Sequence, residues 1–144
     1  MQAVPINYLA VLVSGIVSMV LGYVWFGPLF GKMYIHLMGW DNKTPAEQEA
    51  MMKGMMKSYV ITFIGSLVMA WVLAHAIIYA QVYMHWTALT AGLATGFMSW
   101  LGFVVPVSIG NVLWGNSSWK LWWLTNSHQL VQFLIFGAIL GTWK

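Results

Sequence analysis

Toward the end of this chain Thr125, His128, Gln129 and Gln132 recur at i, i+3, i+4 and i+7, with Asn126 beside them. On a helix that spacing gathers them on one face. An imidazole among amides can hydrogen-bond a ligand, line a path for water or ions, or act as general acid or base with Asn126 or Gln129 as donors. The same groups can instead only hydrogen-bond across helices. Asn111, which follows the break expected at Pro106, is the nearest polar residue in sequence able to cap that face. A second set, Asn7, His75, Gln81 and His85, is expected as an outer polar cluster. A metal there would need three or four ligands, and counting from the span middles sets His75 and His128 on the order of 13 Å apart in depth. No metal and no cofactor is expected. Met51, Met52, Met55 and Met56 are soft thioethers of the kind that bind copper(I). Their spacing reads first as the apolar face of an interfacial helix, with Glu49, Lys53 and Lys57 on its wet side.

What surrounds these residues restricts the chemistry. Of 144 residues, 60% are hydrophobic and 6% charged, whereas a soluble domain carries about a quarter charged. The whole inventory is Lys32, Lys43, Lys53, Lys57, Lys120 and Lys144 against Asp41, Glu47 and Glu49. Arginine is absent, which removes the bidentate phosphate fork and makes nucleic acid a poor partner. Cysteine is absent too, which excludes disulfides, thiolate metal sites and cysteine nucleophiles. No Asp, Glu, Lys or Arg falls well inside an apolar run. That argues against a carboxylate proton pathway, di-iron chemistry and voltage sensing.

The elements that must position the polar face are membrane spans. Crossing about 30 Å of hydrocarbon takes about 20 apolar residues in a helix. Four stretches qualify, at about 6–26, 59–80, 86–107 and 121–143, giving an all-α integral membrane protein with four transmembrane helices in a bundle, one domain over 1–144. The first run has no basic flank and no small-residue cleavage site, so it reads as a retained span and not a signal peptide. The polar connection 27–58 contains Thr44-Pro45-Ala46-Glu47, a capping box with proline at the first helical position. A helix is therefore expected from about 45, running on into the second span with its first turns at the headgroups. Four lysines in this connection and Lys120 in the next but one place both on the cytoplasmic side, with both termini outside; Lys144 is a minor contradiction.

The two halves resemble each other. Ser14-Gly15 and Leu21-Gly22 in the first span match Thr95-Gly96 and Leu101-Gly102 in the third, and each continues to a proline, Pro28 or Pro106. Gly65 to Trp71 resembles Gly137 to Trp143. A duplicated helical hairpin would give a pseudo-two-fold axis along the membrane normal. Small residues recur every fourth position at Ala10, Ser14, Ser18 and Gly22, and again at Thr62, Ser66, Ala70 and Ala74, which lets backbones approach. The third span has two such stripes, Ala88-Gly92-Gly96 and Ala91-Thr95-Ser99. Two stripes suggest two partners, one of them in a neighbouring subunit.

Trp25-Phe26-Gly27-Pro28-Leu29-Phe30-Gly31-Lys32, Gly96-Phe97 with Trp100 to Phe103, Leu121-Trp122 with Asn126-Ser127-His128, and the ending Gly137 to Trp143 resemble the family catalogued as domain of unknown function 1761. The resemblance implies a small, multi-span membrane protein of a mostly bacterial family, and hence the inner (plasma) membrane. It implies no activity.

Three functional readings follow, with the lipid bilayer and self-association as the expected partners. The first is a homo-oligomer whose polar face on the fourth span lines a permeation or ligand-binding site. The second is a cofactor-independent membrane enzyme acting on a lipophilic substrate, with His128 as acid or base. The third is a structural or assembly role. A water-filled channel favours the first, and a closed apolar pocket beside His128 favours the second.

Overall fold

The computed structural model describes residues 5–143, and every regular element in them is helical. Lys144 lies outside the described residues. Helix α1 (Tyr8–Val24) starts where Asn7 Oδ1 accepts the Ala10 N–H at 3.1 Å. It widens into a π-helical turn, Trp25–Leu29, in which Phe30 N–H donates to Trp25 O at 3.0 Å. Pro28 sits inside this turn; a residue without an N–H breaks the four-residue ladder, and a wider turn accommodates it. A short α2 (Gly31–Leu37) follows, and Gly39, at φ 68°, turns the chain into a 3₁₀ turn, Trp40–Asn42. The left-handed conformation there is one that glycine adopts without strain.

Helix α3 (Pro45–Met84) is capped by Thr44, whose backbone N–H donates to Glu47 Oε2 at 2.7 Å while Glu47 N–H donates back to Thr44 Oγ1. It runs for 40 residues without a break, about 60 Å at 1.5 Å per residue. His85 ends it at φ 54°. Thr87 caps α4 (Ala88–Ser99), which opens into a second π-helical turn, Trp100–Val104, and continues as α5 (Val105–Leu113). Pro106 therefore does not end the third apolar segment. After a short turn Ser118 caps α6 (Trp119–Thr142).

Three segments are long and apolar enough to cross a membrane: Tyr8–Leu29, Pro45–Met84 and Ala88–Leu113. The expectation was four. Helix α6 has the length, 24 residues, but the polar run Thr125 to Gln129 and Gln132 dilutes its apolar character.

In the packing, α3 and α6 touch each other and both flank α1 and α4, which lie on opposite sides. The α4–α6 contact is the most intimate. A Cβ on Gly92 would collide with the Gly137 carbonyl, one on Gly96 with the Phe133 carbonyl, and one on Gly141 with the Ala88 carbonyl. On the other side Ser18 and Ser66 are hydrogen-bonded at 2.9 Å. Because Ser66 Oγ donates to Thr62 O, Ser18 supplies the proton between the serines. Small and polar groups fill the inside, while Ile16, Val20, Ile61, Val68, Val72 and Phe103 face outward. A water-soluble fold places such residues the other way round.

From Pro45 to Gly65 nearly every residue of α3 is exposed. At about 100° per residue, Met52 and Met55 lie on the same face as Ser66, Ala70 and Ile77, which the bundle buries. The methionine face is thus a continuation of the packed one, beyond the reach of the other long helices.

Candidate functional site at His128

Because α6 lies between α1, α3 and α4, it buries residues around much of its circumference. Asn126 and Gln132 are each 3% exposed and His128 is 7% exposed, whereas Thr125 and Gln129 are half-buried. Thr125 Oγ1 donates to its own helix, at Leu121 O and Trp122 O.

Both ends of the Asn126 amide are engaged. Its Nδ2 donates to Trp122 O at 3.0 Å and its Oδ1 accepts from Ser108 Oγ at 3.0 Å. Ser108 Oγ in turn accepts the Trp122 indole N–H at 3.0 Å. This triangle locks α5 to α6. Asn111, expected over this face, has an exposed side chain, and its backbone carbonyl accepts Ser117 N–H at 3.1 Å. Ser108 holds the position instead. It is the one hydroxyl between Trp100 and Gly110, and a lone hydroxyl in an apolar run is the signal in the sequence that marks it.

The tryptophans that open the two π-helical turns also reach α6. Trp25 Nε1 donates to Leu124 O at 3.2 Å, and Trp100 Nε1 donates to Asn126 O at 3.1 Å. Each wide turn swings its first residue off the regular helical track and brings its indole against the α6 backbone. Both anchors lie on the turn of α6 just before His128.

His128 is treated differently from its neighbours. Its ring lies 4.9 Å from the Phe26 ring and 5.9 Å from the Trp25 ring, centroid to centroid. Its Nε2 is buried with no hydrogen-bond partner among the described residues. Such an orphan costs about 1–3 kcal/mol, and native structures retain few of them. Across from it, α1 carries Gly22. A Cβ built there would have His128 Nε2, at 3.9 Å, as its one neighbour within 4 Å. Gly22 thus leaves a notch in the α1 surface with the imidazole nitrogen behind it.

The chain after Phe26 folds over this spot as an aromatic series. Phe26 meets Tyr34 at 4.7 Å, and Tyr34 meets Trp40 at 5.4 Å. The far end is fastened by His36 Nδ1 and Asp41 Oδ2, 2.8 Å apart and exposed. The hydrogen bond from His36 holds the Asp41 carboxyl below its usual range, and burial raises the Tyr34 hydroxyl. The ion pairs among the described residues, this one and Lys53–Glu49, both lie away from the imidazole.

The residues expected as an outer cluster have separate duties. Asn7 caps α1, and His75 bonds Trp71 O at 2.8 Å beneath the Trp71 ring. Gln81 Nε2 donates to Gly141 O at 3.2 Å, tying α3 to α6, and His85 is the exposed cap of α3. No group of three ligating side chains forms among the described residues.

The profile of the family described as Protein of unknown function (DUF1761) matches residues 9–141. The chain belongs to that family. Neither a curated protein nor a solved structure matches it. The DUF1761 match runs from the second residue of α1 to the last turn of α6, so it takes in both π-helical turns, Gly22 and His128.

A groove of about 540 Å³ also opens between α3 and α4, lined in part by Ala76, Ala80, Tyr83, Trp86, Thr95 and Ser99. It is remote from His128. Of the second small-residue stripe, Ala91 is buried inside the fold, while Thr95 and Ser99 line this groove.

Proposed function

We propose that this DUF1761 protein crosses the membrane four times, with α6 as the fourth span and both termini outside, and binds a lipid-soluble molecule between α1 and α6 at His128. One observation carries this reading: a buried imidazole nitrogen left without a partner behind a glycine notch. Among the described residues, every fully buried side-chain polar atom except this one has a partner within the protein, so the stripe divides. Thr125 bonds its own helix, Asn126 joins α5 to α6, and His128 waits for a partner. The arrangement α1–α3 and α4–α6, with α3 and α6 both central, supports two hairpins related by a pseudo-two-fold. The Thr95–Ser99 groove supports self-association through α4.

The enzyme reading has one specific support, the same free Nε2 in an apolar setting. Of the two donors it relied on, Asn126 directs Nδ2 at Trp122 O, which leaves Gln129, half-buried and about 100° around the helix from His128. Binding is therefore the better reading. The Ser108–Asn126–Trp122 triangle engages polar groups at the inner end of this face with one another and so weighs against permeation along it.

Native mass spectrometry of the protein taken from its own membranes tests both parts. Wild type should release a bound lipophile that Gly22→Leu and His128→Phe have lost, and its mass should be a multiple of the chain. Equal adducts on all three proteins would end the binding reading, and a monomer would end self-association.

A further inference from the structure

Resting on that reading of His128, we infer that the ligand is a neutral lipophile with a single small hydrogen-bonding head, a long-chain alcohol in type, which enters sideways from the bilayer past Gly22 and Phe26.

The count of available groups fixes the head. Trp25 is the other polar side chain in ring contact with His128, and its N–H is already committed to Leu124 O. Asn126, two residues away, has both ends of its amide engaged. Nε2 is the one fully buried side-chain polar atom among the described residues without a partner, and it accepts or donates according to tautomer. A hydroxyl suits either role, because it is both donor and acceptor. A head with several polar groups would bury the rest unpaired, at a cost of a few kcal/mol.

The same surroundings exclude charge. A carboxylate or phosphate would meet Phe26, Trp25 and the bare backbone at Gly22, with both ion pairs of the described residues elsewhere. An unpaired ion in apolar surroundings is far costlier than an unpaired neutral group. Size points the same way. The notch is what a glycine leaves in place of a side chain: a methyl built there would make ordinary contact with Nε2 at 3.9 Å, which suits a small head and not a ring. The body of the ligand must be apolar because α1 turns Ile16, Val20 and Tyr23 outward, on the face away from the bundle, where the bilayer lies.

Phe26 is the door. Its ring lies tilted at 47° against the imidazole and belongs to the π-helical turn. Its rotation uncovers Nε2 toward the notch.

The test uses hexadecanol, hexadecane and palmitate added to delipidated full-length protein in micelles at pH 8, with ¹⁵N-labelled histidine read by NMR. Hexadecanol should move the His128 Nε2 resonance and bind about tenfold more tightly than hexadecane, roughly one hydrogen bond's worth. Palmitate, ionised, should bind at least as poorly as hexadecane. Gly22→Leu should abolish the hexadecanol shift while keeping the folded spectrum. Equal binding of hexadecane, or tighter binding of palmitate, overturns the inference. If hexadecanol leaves Nε2 unmoved while a lipophile still co-purifies in a His128-dependent way, the ligand class is wrong and the site stands. If neither occurs, both fall.

Discussion

The imidazole of His128 and the ring of Phe26 lie 4.9 Å apart, tilted by 47°, and between them they seal a nitrogen that the rest of the protein leaves unbonded. The contrast with Asn126, two residues earlier, sets up the first prediction. Ser108→Ala should leave Trp122 Nε1 and Asn126 Oδ1 without partners. Each orphan costs about 1–3 kcal/mol, so thermal unfolding in detergent should come several degrees lower than wild type. An unchanged midpoint would mean that the triangle does not hold α5 to α6.

Gly92 and Gly137 make the second. Their backbones meet so closely that a methyl on either has no free space. Gly137→Ala should force α4 and α6 apart at a cost of about 1–3 kcal/mol, while Gly65→Ala, which meets nothing within 4 Å, should be neutral or slightly stabilising. The two melting curves decide it; equal midpoints would contradict the α4–α6 packing.

The cap of α3 gives a pH dependence. Hydrogen bonds from the Thr44 backbone N–H and hydroxyl hold the Glu47 carboxyl below its ordinary value. A depressed carboxyl pKa contributes stability that is complete above the unfolded-state pKa, about 4.3, and is lost as pH falls through the folded one. Amide exchange at Glu47 and Gln48, corrected for its intrinsic pH dependence, should therefore show protection that fades below about pH 4. Protection that rises on acidification would contradict the capping box.

Sidedness is open to direct labelling, because the chain has no cysteine. With Lys43→Cys and Val82→Cys, an impermeant maleimide applied from outside should label the second position and spare the first. The reverse pattern would invert the proposed orientation.

How far the sequence reached differs from residue to residue. Thr44, Pro45 and Glu47 specify a helix start through chemistry that is local to four residues. All-helical character was legible because continuous apolar runs have no other way to pair their backbone. The π-helical turns were not. Pro28 and Pro106 announce a disturbance, but a wider winding that continues the helix depends on Trp25 and Trp100 finding carbonyls on α6, about 100 and 26 residues away. The polar face was legible as a set of residue types, while its division was not. Whether an amide or an imidazole is satisfied depends on a hydroxyl from another helix, Ser108 for Asn126 and none for His128. The grouping of Asn7, His75, Gln81 and His85 rested on depth alone, and depth says nothing about azimuth.

The central claim is that His128 is kept for binding and not for holding the fold. It is tested most directly by the melting temperature of ligand-free His128→Phe and His128→Leu beside wild type. Each substitution removes a buried unpaired nitrogen and keeps an apolar body in its place, so the account predicts midpoints equal to or above wild type. A fall as large as that of Ser108→Ala would show that the imidazole supports the structure, and would contradict the account.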